Sequence, residues 1–182
     1  MMKFTVIGID DNPASVKRNL EFVHKELRNA RVFSGGKRHH TLVKDFLPDG
    51  YTWIDIIVPL ENVFEEYGRV FREEEGVGEI VVFASGDPLF FGFATTLQRK
   101  LPQAELKVYP VFNSLQSLAH RLAMQYDDME TISLTGRPWH GFDKALIERK
   151  GKMGILTDKV HTPATIAQRA LEYGFCNYRM YV

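Results

Sequence analysis

A single cysteine, Cys176, stands in the 182 residues, so no disulfide can form within the chain. That usage fits a reducing compartment. Neither charge sign prevails: 23 Lys and Arg face 23 Asp and Glu, for a formal net charge of zero. A general nucleic-acid binder carries a basic excess to neutralise phosphates, so that class is set aside, with local basic patches still permitted. No uncharged apolar run approaches the roughly 20 residues that cross a bilayer, and no membrane association is expected. Residues 1–10 form a short apolar run that soon meets Asp10 and Asp11. They lack the basic start, longer apolar core and small-residue cleavage site of a signal peptide, and the expected location is cytoplasmic. Several catalytic signatures are also missing. There is no Walker A loop, no G-x-G-x-x-G and no G-x-S-x-G, and Cys176 has no recognisable partner for nucleophilic chemistry.

What is present is an ordinary soluble composition, 45% hydrophobic and 25% charged, arranged as alternating strand and helix patterns. "KFTVIGI" (3–9) reads as a buried strand stopped by Asp10-Asp11-Asn12-Pro13. Residues 13–29 carry Val16, Leu20, Val23 and Leu27 at helical spacing. Strands are expected in 30–36, 51–60, 78–85 and 104–111, with helices over 63–74 and 90–100. Further on, helices are expected over 114–125, 143–150 and 162–173, and strands in 130–136, 152–158 and 177–182. Strands alternating with helices of this length predict an α/β architecture with largely parallel sheets. A boundary near 111–114 divides it into an N-terminal α/β domain, residues 1–112, and a C-terminal one, residues 113–182.

Four polar stretches follow strands, where open α/β sheets bind ligands. The first is Ser85-Gly86-Asp87-Pro88, followed by Leu89, Phe90 and Phe91. Read plainly, Asp87 caps a helix with Pro88 at its first position. Read functionally, Gly86 lets a ligand approach the backbone, Asp87 accepts hydrogen bonds and the aromatics wall an apolar pocket. The second is "PVFNSLQS" (110–117), where Asn113 or Ser114 caps a helix by default. The third, "GGKRHH" (35–40), is a compact cationic cluster of Lys37, Arg38, His39 and His40, read plainly as a solvated loop and functionally as a site for carboxylates. A metal is rejected there: adjacent histidines on a strand point to opposite faces, and no third ligand stands at a suggestive spacing. The fourth, "SLTGRPWHG" (133–141), combines Thr135, Gly136, Arg137, Trp139 and His140.

Together, "VIGI" (6–9), "GGKRHH", "SGDPLFFG" (85–92), "NSLQSLAHRL" (113–122) and "SLTGR" (133–137) resemble the tetrapyrrole methylase family, in order and spacing over nearly the whole chain. The resemblance is strongest to the cobalamin-pathway branch that methylates C5 of precorrin-7 or cobalt-precorrin-7. It implies the class III methyltransferase fold, in which two α/β domains enclose a cleft, and S-adenosylmethionine as methyl donor. It implies donor contacts at Ser85, Gly86, Asp87, Phe90, Asn113, Ser114, Thr135 and Gly136. Lys37, Arg38, His39 and Asp10 would serve an acidic tetrapyrrole substrate. No protein-bound metal is implied. A homodimer is expected, with a fused or separate partner for C15 methylation and decarboxylation. His39, His40 and Asp10 are weak candidates for proton removal, and no general base is assigned. The first loop departs from the family's G-x-G-P-G, reading Gly8-Ile9-Asp10-Asp11-Asn12-Pro13, and Pro110-Val111-Phe112 replaces a Pro-Gly turn. Relatives continue past "YRMYV", so a shortened second domain is expected, with 177–182 as an exposed edge strand. Two alternatives stay open: a same-fold methyltransferase with another acceptor, and a non-catalytic donor-binding module.

Overall fold

The computed structural model describes residues 2–73 and 77–182. Two compact units divide it, Met1–Asn113 and Ser114–Val182.

The first unit is built on a five-stranded, wholly parallel sheet in the order β3-β2-β4-β1-β5. Its strands are β1 (Lys3–Ile9), β2 (Val32–Gly35), β3 (Thr52–Asp55), β4 (Ile80–Ser85) and β5 (Glu105–Tyr109). The central pair shows why an unbroken apolar run becomes a strand here. Both faces of the sheet are covered, so alternate residues feed two cores. Phe4, Val6, Ile80, Val82 and Ala84 face α4 (Leu60–Glu73) and α5 (Phe93–Lys100), where Val63, Tyr67, Val70 and Leu97 meet them. Ile7, Ile9, Val81 and Phe83 face the other way, against Val16, Leu20, Leu27 and Val43 of α1 (Pro13–Phe22), α2 (His24–Asn29) and α3 (Lys37–Val43). A polar pair in the first core is satisfied: the Ser34 hydroxyl donates to the Ile54 carbonyl at 2.8 Å and lies 2.7 Å from Tyr67 Oη.

The second unit holds a two-stranded parallel sheet of β6 (Glu130–Ser133) and β7 (Met153–Leu156). Around it stand α6 (Ser114–Arg121), α7 (His140–Ile147) and α8 (Pro163–Glu172). Its core gathers Ile132, Leu134, Phe142, Leu146 and Ile166.

Several expectations change. The helix expected over 13–29 is two helices, because Val23 leaves helical geometry at φ −100°, ψ 21°. Both segments still turn their apolar residues to one core. Strand β3 stops at Asp55, where β2 offers no further partner beyond Gly35. Helix α5 starts at Phe93, not Phe90, and α6 stops at Arg121 ahead of Ala123, whose φ is 48°. The helix expected over 63–74 begins earlier, at Leu60, and its expected last residue, Glu74, lies outside the described residues. The cationic stretch 37–40 is not a loop: it opens helix α3. Residues 177–182 form no strand. Phe175 and Tyr178 both pack on the second core, and residues three apart cannot share one face of a period-two strand. The Tyr178 hydroxyl donates to the Lys150 carbonyl at 2.8 Å, which fixes the segment as an irregular strap.

Candidate active site

Strand order sets the site of the first unit. The chain leaves β1 through α1 and α2 on one face to reach β2, beyond β4. It leaves β4 through α5 on the opposite face to reach β5, beyond β1. The two connections part in opposite directions, so the carboxyl ends of β1 and β4 flank a topological switch point, the usual ligand crevice of such sheets.

Two glycines let the backbones close in at that point. A Cβ on Gly8 would lie 2.1 Å from the Gly86 carbonyl oxygen and 2.9 Å from the Val111 amide. Gly86 itself sits at φ +64°, in the left-handed region that favours glycine, with the Asn113 Cα 3.1 Å from where its Cβ would be. Gly86 is stitched on both sides: its N–H donates to the Ile9 carbonyl at 2.9 Å, and its carbonyl accepts from the Val111 N–H at 3.4 Å. The β1 end, the β4 turn and the 110–113 segment are therefore one rigid piece. Asp87 continues the turn. Its Oδ1 accepts the Leu89 N–H at 2.9 Å, and its carbonyl accepts the Phe90 N–H at 3.1 Å. Asp87 thus orders a turn rather than capping α5, whose cap position is Gly92. The ring of Phe90 meets Phe91 edge-on at 5.0 Å, and Leu89 and Phe91 are exposed beside the polar turn.

The start of α3 brings the cationic residues to the same strand end. Arg38 Nη2 donates to Ser85 Oγ at 2.7 Å, and its Nη1 pairs with Asp11. His39 Nε2 lies 3.0 Å from the same Ser85 Oγ, while its Nδ1 receives the Gly36 N–H at 3.2 Å. Burial, reinforced by the Arg38 guanidinium, lowers the His39 pKa to about 4, against opposing pulls from Asp11 and the Phe83 carbonyl. His39 is therefore neutral at physiological pH. His40 turns away. Its Nε2 is 2.6 Å from Tyr51 Oη and its ring lies 4.3 Å from that of Trp53. Lys37 is exposed and forms no ion pair among the described residues. Asp10 points into its own loop, where it accepts the Asn12 N–H at 3.0 Å and the Ser15 hydroxyl at 2.6 Å. Asn12 then caps α1 by accepting the Ala14 N–H.

In the second unit, the turn after β6 is held by a residue that the sequence reading passed over. Asp158, just past the end of β7, accepts the Gly136 N–H at 2.9 Å through Oδ2. Its Oδ1 accepts the Val160 and His161 amides at 2.9 and 2.7 Å. These backbone bonds hold its carboxyl far below the usual range. Thr135 Oγ1 donates to the Thr157 carbonyl at 3.1 Å, and Arg137 reaches Ser133 Oγ at 2.6 Å. Ser114 opens α6. Nearby, Arg169 grips Asp143 through two bonds of 2.6 and 2.7 Å and lies over the Trp139 ring.

The structure thus unites Ser85, Gly86, Asp87, Phe90 and Asn113 with Arg38 and His39 at one strand end of the first unit. It turns Asp10 and His40 into local packing. Gly8 and Asp11 were noted only as parts of the altered first loop, and Asp158, which holds the Gly136 turn, was not singled out. The signal for Asp158 was present in "LTD", an acid just past a strand and three residues before His161.

The profile of the Tetrapyrrole (Corrin/Porphyrin) Methylases matches residues 23–182. The chain belongs to this family. A precorrin-6Y C(5,15)-methyltransferase [decarboxylating] of Sinorhizobium sp is 31% identical over 180 residues, which cover 98% of this chain and 41% of that protein. A cobalt-precorrin-7 C(5)-methyltransferase of Salmonella typhimurium is 28% identical over 171 residues, 93% of this chain and 78% of that one. Among solved structures, the methyltransferase CobJ superposes with a TM-score of 0.68 at 20% identity, over 94% of this chain and 76% of that one, which shows the shared fold. The chain spans about two fifths of the length of the Sinorhizobium relative. Members of the family are methylases by name, and the fold expectation of an α/β tetrapyrrole methylase holds.

Proposed function

We propose that the protein is an S-adenosylmethionine-dependent methyltransferase that methylates C5 of precorrin-7 or cobalt-precorrin-7 in cobalamin biosynthesis. The observation that carries this reading is the closed approach of Gly8 to Gly86 at the switch point, with Arg38 and His39 brought onto Ser85 beside it. Such a turn fits a folded small-molecule donor. The backbone is tight, Asp87 shapes the loop, and Phe90 offers an apolar face. Ser85, Gly86, Asp87, Phe90 and Asn113 are the proposed donor contacts of the first unit, with Ser114, Thr135 and Gly136 the proposed contacts of the second. Lys37, Arg38 and the apolar Leu89 and Phe91 suit a flat macrocycle with acidic arms.

When bound, the donor supplies a methyl group already activated on a sulfonium, so the chain needs no covalent nucleophile. What remains for these residues is to align carbon with methyl and to exclude water. A rigid, stitched turn is the device for that. The same reading assigns a cytoplasmic homodimer, and the name of the Sinorhizobium relative motivates a fused or separate partner for the C15 methylation and decarboxylation.

The test is incubation of the purified protein with S-adenosylmethionine bearing a ¹³C methyl group and either precorrin-7 or cobalt-precorrin-7. The expected result is a labelled methyl at C5 by NMR, with S-adenosylhomocysteine released. Label at another carbon, or none, rejects the C5 assignment.

A further inference from the structure

We infer that Ser85 is a directed hydrogen-bond donor to a carboxylate of the reaction's ligands, and that His39 is the positioning residue that fixes its direction. This deepens, and rests on, the methyltransferase reading above.

The argument is one of counting donors. The Gly36 N–H points at His39 Nδ1 at 3.2 Å, so that nitrogen is an acceptor and carries no proton. In a neutral imidazole the proton must then sit on Nε2. Burial and the adjacent Arg38 keep the ring neutral, which leaves this tautomer in place. His39 Nε2–H accordingly donates to Ser85 Oγ at 3.0 Å. Arg38 Nη2 donates to the same oxygen at 2.7 Å. A hydroxyl has two lone pairs and one proton. Both lone pairs of Ser85 are engaged, so its own O–H is left to donate outward from an exposed position at the strand end.

The chemistry of an acceptor that suits this hydroxyl follows from what surrounds it. A hydroxyl that receives a charged donor is polarised, and its own donated bond strengthens. Arg38 lies beside it with a fork of five N–H groups, of which Asp11 and Ser85 take only part. That pairing is open to exchange, because Asp11 is 75% exposed and Arg38 54% exposed, and such surface pairs contribute little. An oxygen acceptor that takes one proton from Ser85 and others from Arg38 is a carboxylate. Two sources present one here: an acid side chain of the macrocycle and the amino-acid end of the methyl donor.

The test uses the full chain and the variants Ser85→Ala, His39→Leu and His39→Gln. Titration with S-adenosylhomocysteine gives donor-side affinity, and initial rates with cobalt-precorrin-7 give the macrocycle KM. Ser85→Ala is expected to weaken one of the two by about ten- to a hundredfold, the range for a hydrogen bond to a charged group. A rise confined to KM identifies the macrocycle carboxylate; a rise in the S-adenosylhomocysteine Kd identifies the donor's. His39→Leu should reproduce most of the loss. His39→Gln, whose amide N–H reaches the position of Nε2–H, should restore it to within a fewfold, which a purely structural role would not. A separate arm follows the His39 ring by ¹⁵N NMR with citrate as a simple carboxylate probe. Citrate should move the Nε2 signal of the wild type and leave that of Ser85→Ala in place. Wild-type protein without turnover, yet with the citrate response, would reject the methyltransferase reading and keep Ser85 as the carboxylate donor. Unchanged Kd and KM in Ser85→Ala, or a citrate response that survives Ser85→Ala, overturns the inference.

Discussion

Gly8→Ala adds one methyl group at the tightest point of the first unit. Its new carbon would lie 2.1 Å from the Gly86 carbonyl oxygen, 2.9 Å from the Val111 amide and 3.2 Å from the Tyr109 carbonyl. All three are backbone atoms, so no side chain can swing aside. A carbon–oxygen contact settles at about 3.3–3.6 Å, and the Gly86 turn must therefore retreat by roughly 1.2 Å. Strand β1 cannot give way instead, because ladders to β4 and β5 hold it on both edges. Overpacking of this kind costs about 1–3 kcal/mol. The retreat also removes the Val111 to Gly86 bond, at about 1 kcal/mol. The sum, about 2–4 kcal/mol, corresponds to a Tm lower by roughly 5–15 °C for a chain of this size. A displacement near 1 Å is worth about a hundredfold in rate where two reactants must be aligned. Calorimetric melting and turnover with cobalt-precorrin-7 measure both effects. Gly78→Ala is the control, since nothing lies within 4 Å of its added carbon. A Gly8→Ala protein that melts with the wild type and keeps its turnover would refute the idea of a rigid, stitched turn.

Other outcomes follow from the same geometry. Asp87→Ala unties the turn at Leu89 and should weaken S-adenosylmethionine binding by about 1–3 kcal/mol in titration calorimetry. Lys37→Ala should raise the macrocycle KM by up to about fivefold, as expected for one exposed charge, and leave S-adenosylhomocysteine affinity unchanged. His39 has a folded pKa depressed to about 4 from an ordinary 6.5, so the unfolded chain takes up its proton first. Stability is thus full above about pH 6.5 and drains away as pH falls to about 4, and His39→Gln should flatten that limb of a Tm-against-pH curve. Glu26, held down to about 2 by hydrogen bonds from Lys107 and Tyr109, adds a second loss between about pH 4.5 and 2, which Glu26→Gln should remove. Asp158→Ala should speed hydrogen exchange at Gly136, Val160 and His161 and leave the amides of β1 and β4 unaffected.

Much of the fold was legible because burial on both sheet faces leaves a plain trace. "VIGI" and "IVVFAS" are unbroken apolar runs, and both became central strands. Boundaries were lost where packing outweighed pattern. Val23 sits at helical spacing yet breaks the helix, while Val16, Leu20, Val23 and Leu27 all still reach one core. Residues 177–182 alternate like a strand, but Phe175 and Tyr178 are claimed by the core at a spacing of three. The glycines of "GGKRHH" hid a helix start, because Gly36 adopts extended backbone and acts as the cap. At the site, the turn residues stood out by chemistry and position. Their partnership did not: Arg38 and Ser85 are 47 residues apart, and only the β2–β4 adjacency brings them together.

The strand order also governs how the protein comes into being. Strand β1 pairs with β4 and β5, never with β2 or β3. About 70 residues separate its end at Ile9 from the start of β4 at Ile80. At about 5–20 residues per second, a ribosome needs roughly 4–14 s to deliver that partner. During this wait β2 and β3 can find each other, while Val6, Ile7 and Ile9 have no ladder to join. A strand buried at six of its seven residues is thus the one exposed longest on the growing chain. The crevice of the first unit cannot form until β1 has been threaded beside a late-arriving neighbour, which places assembly of the site at the end of folding of that unit.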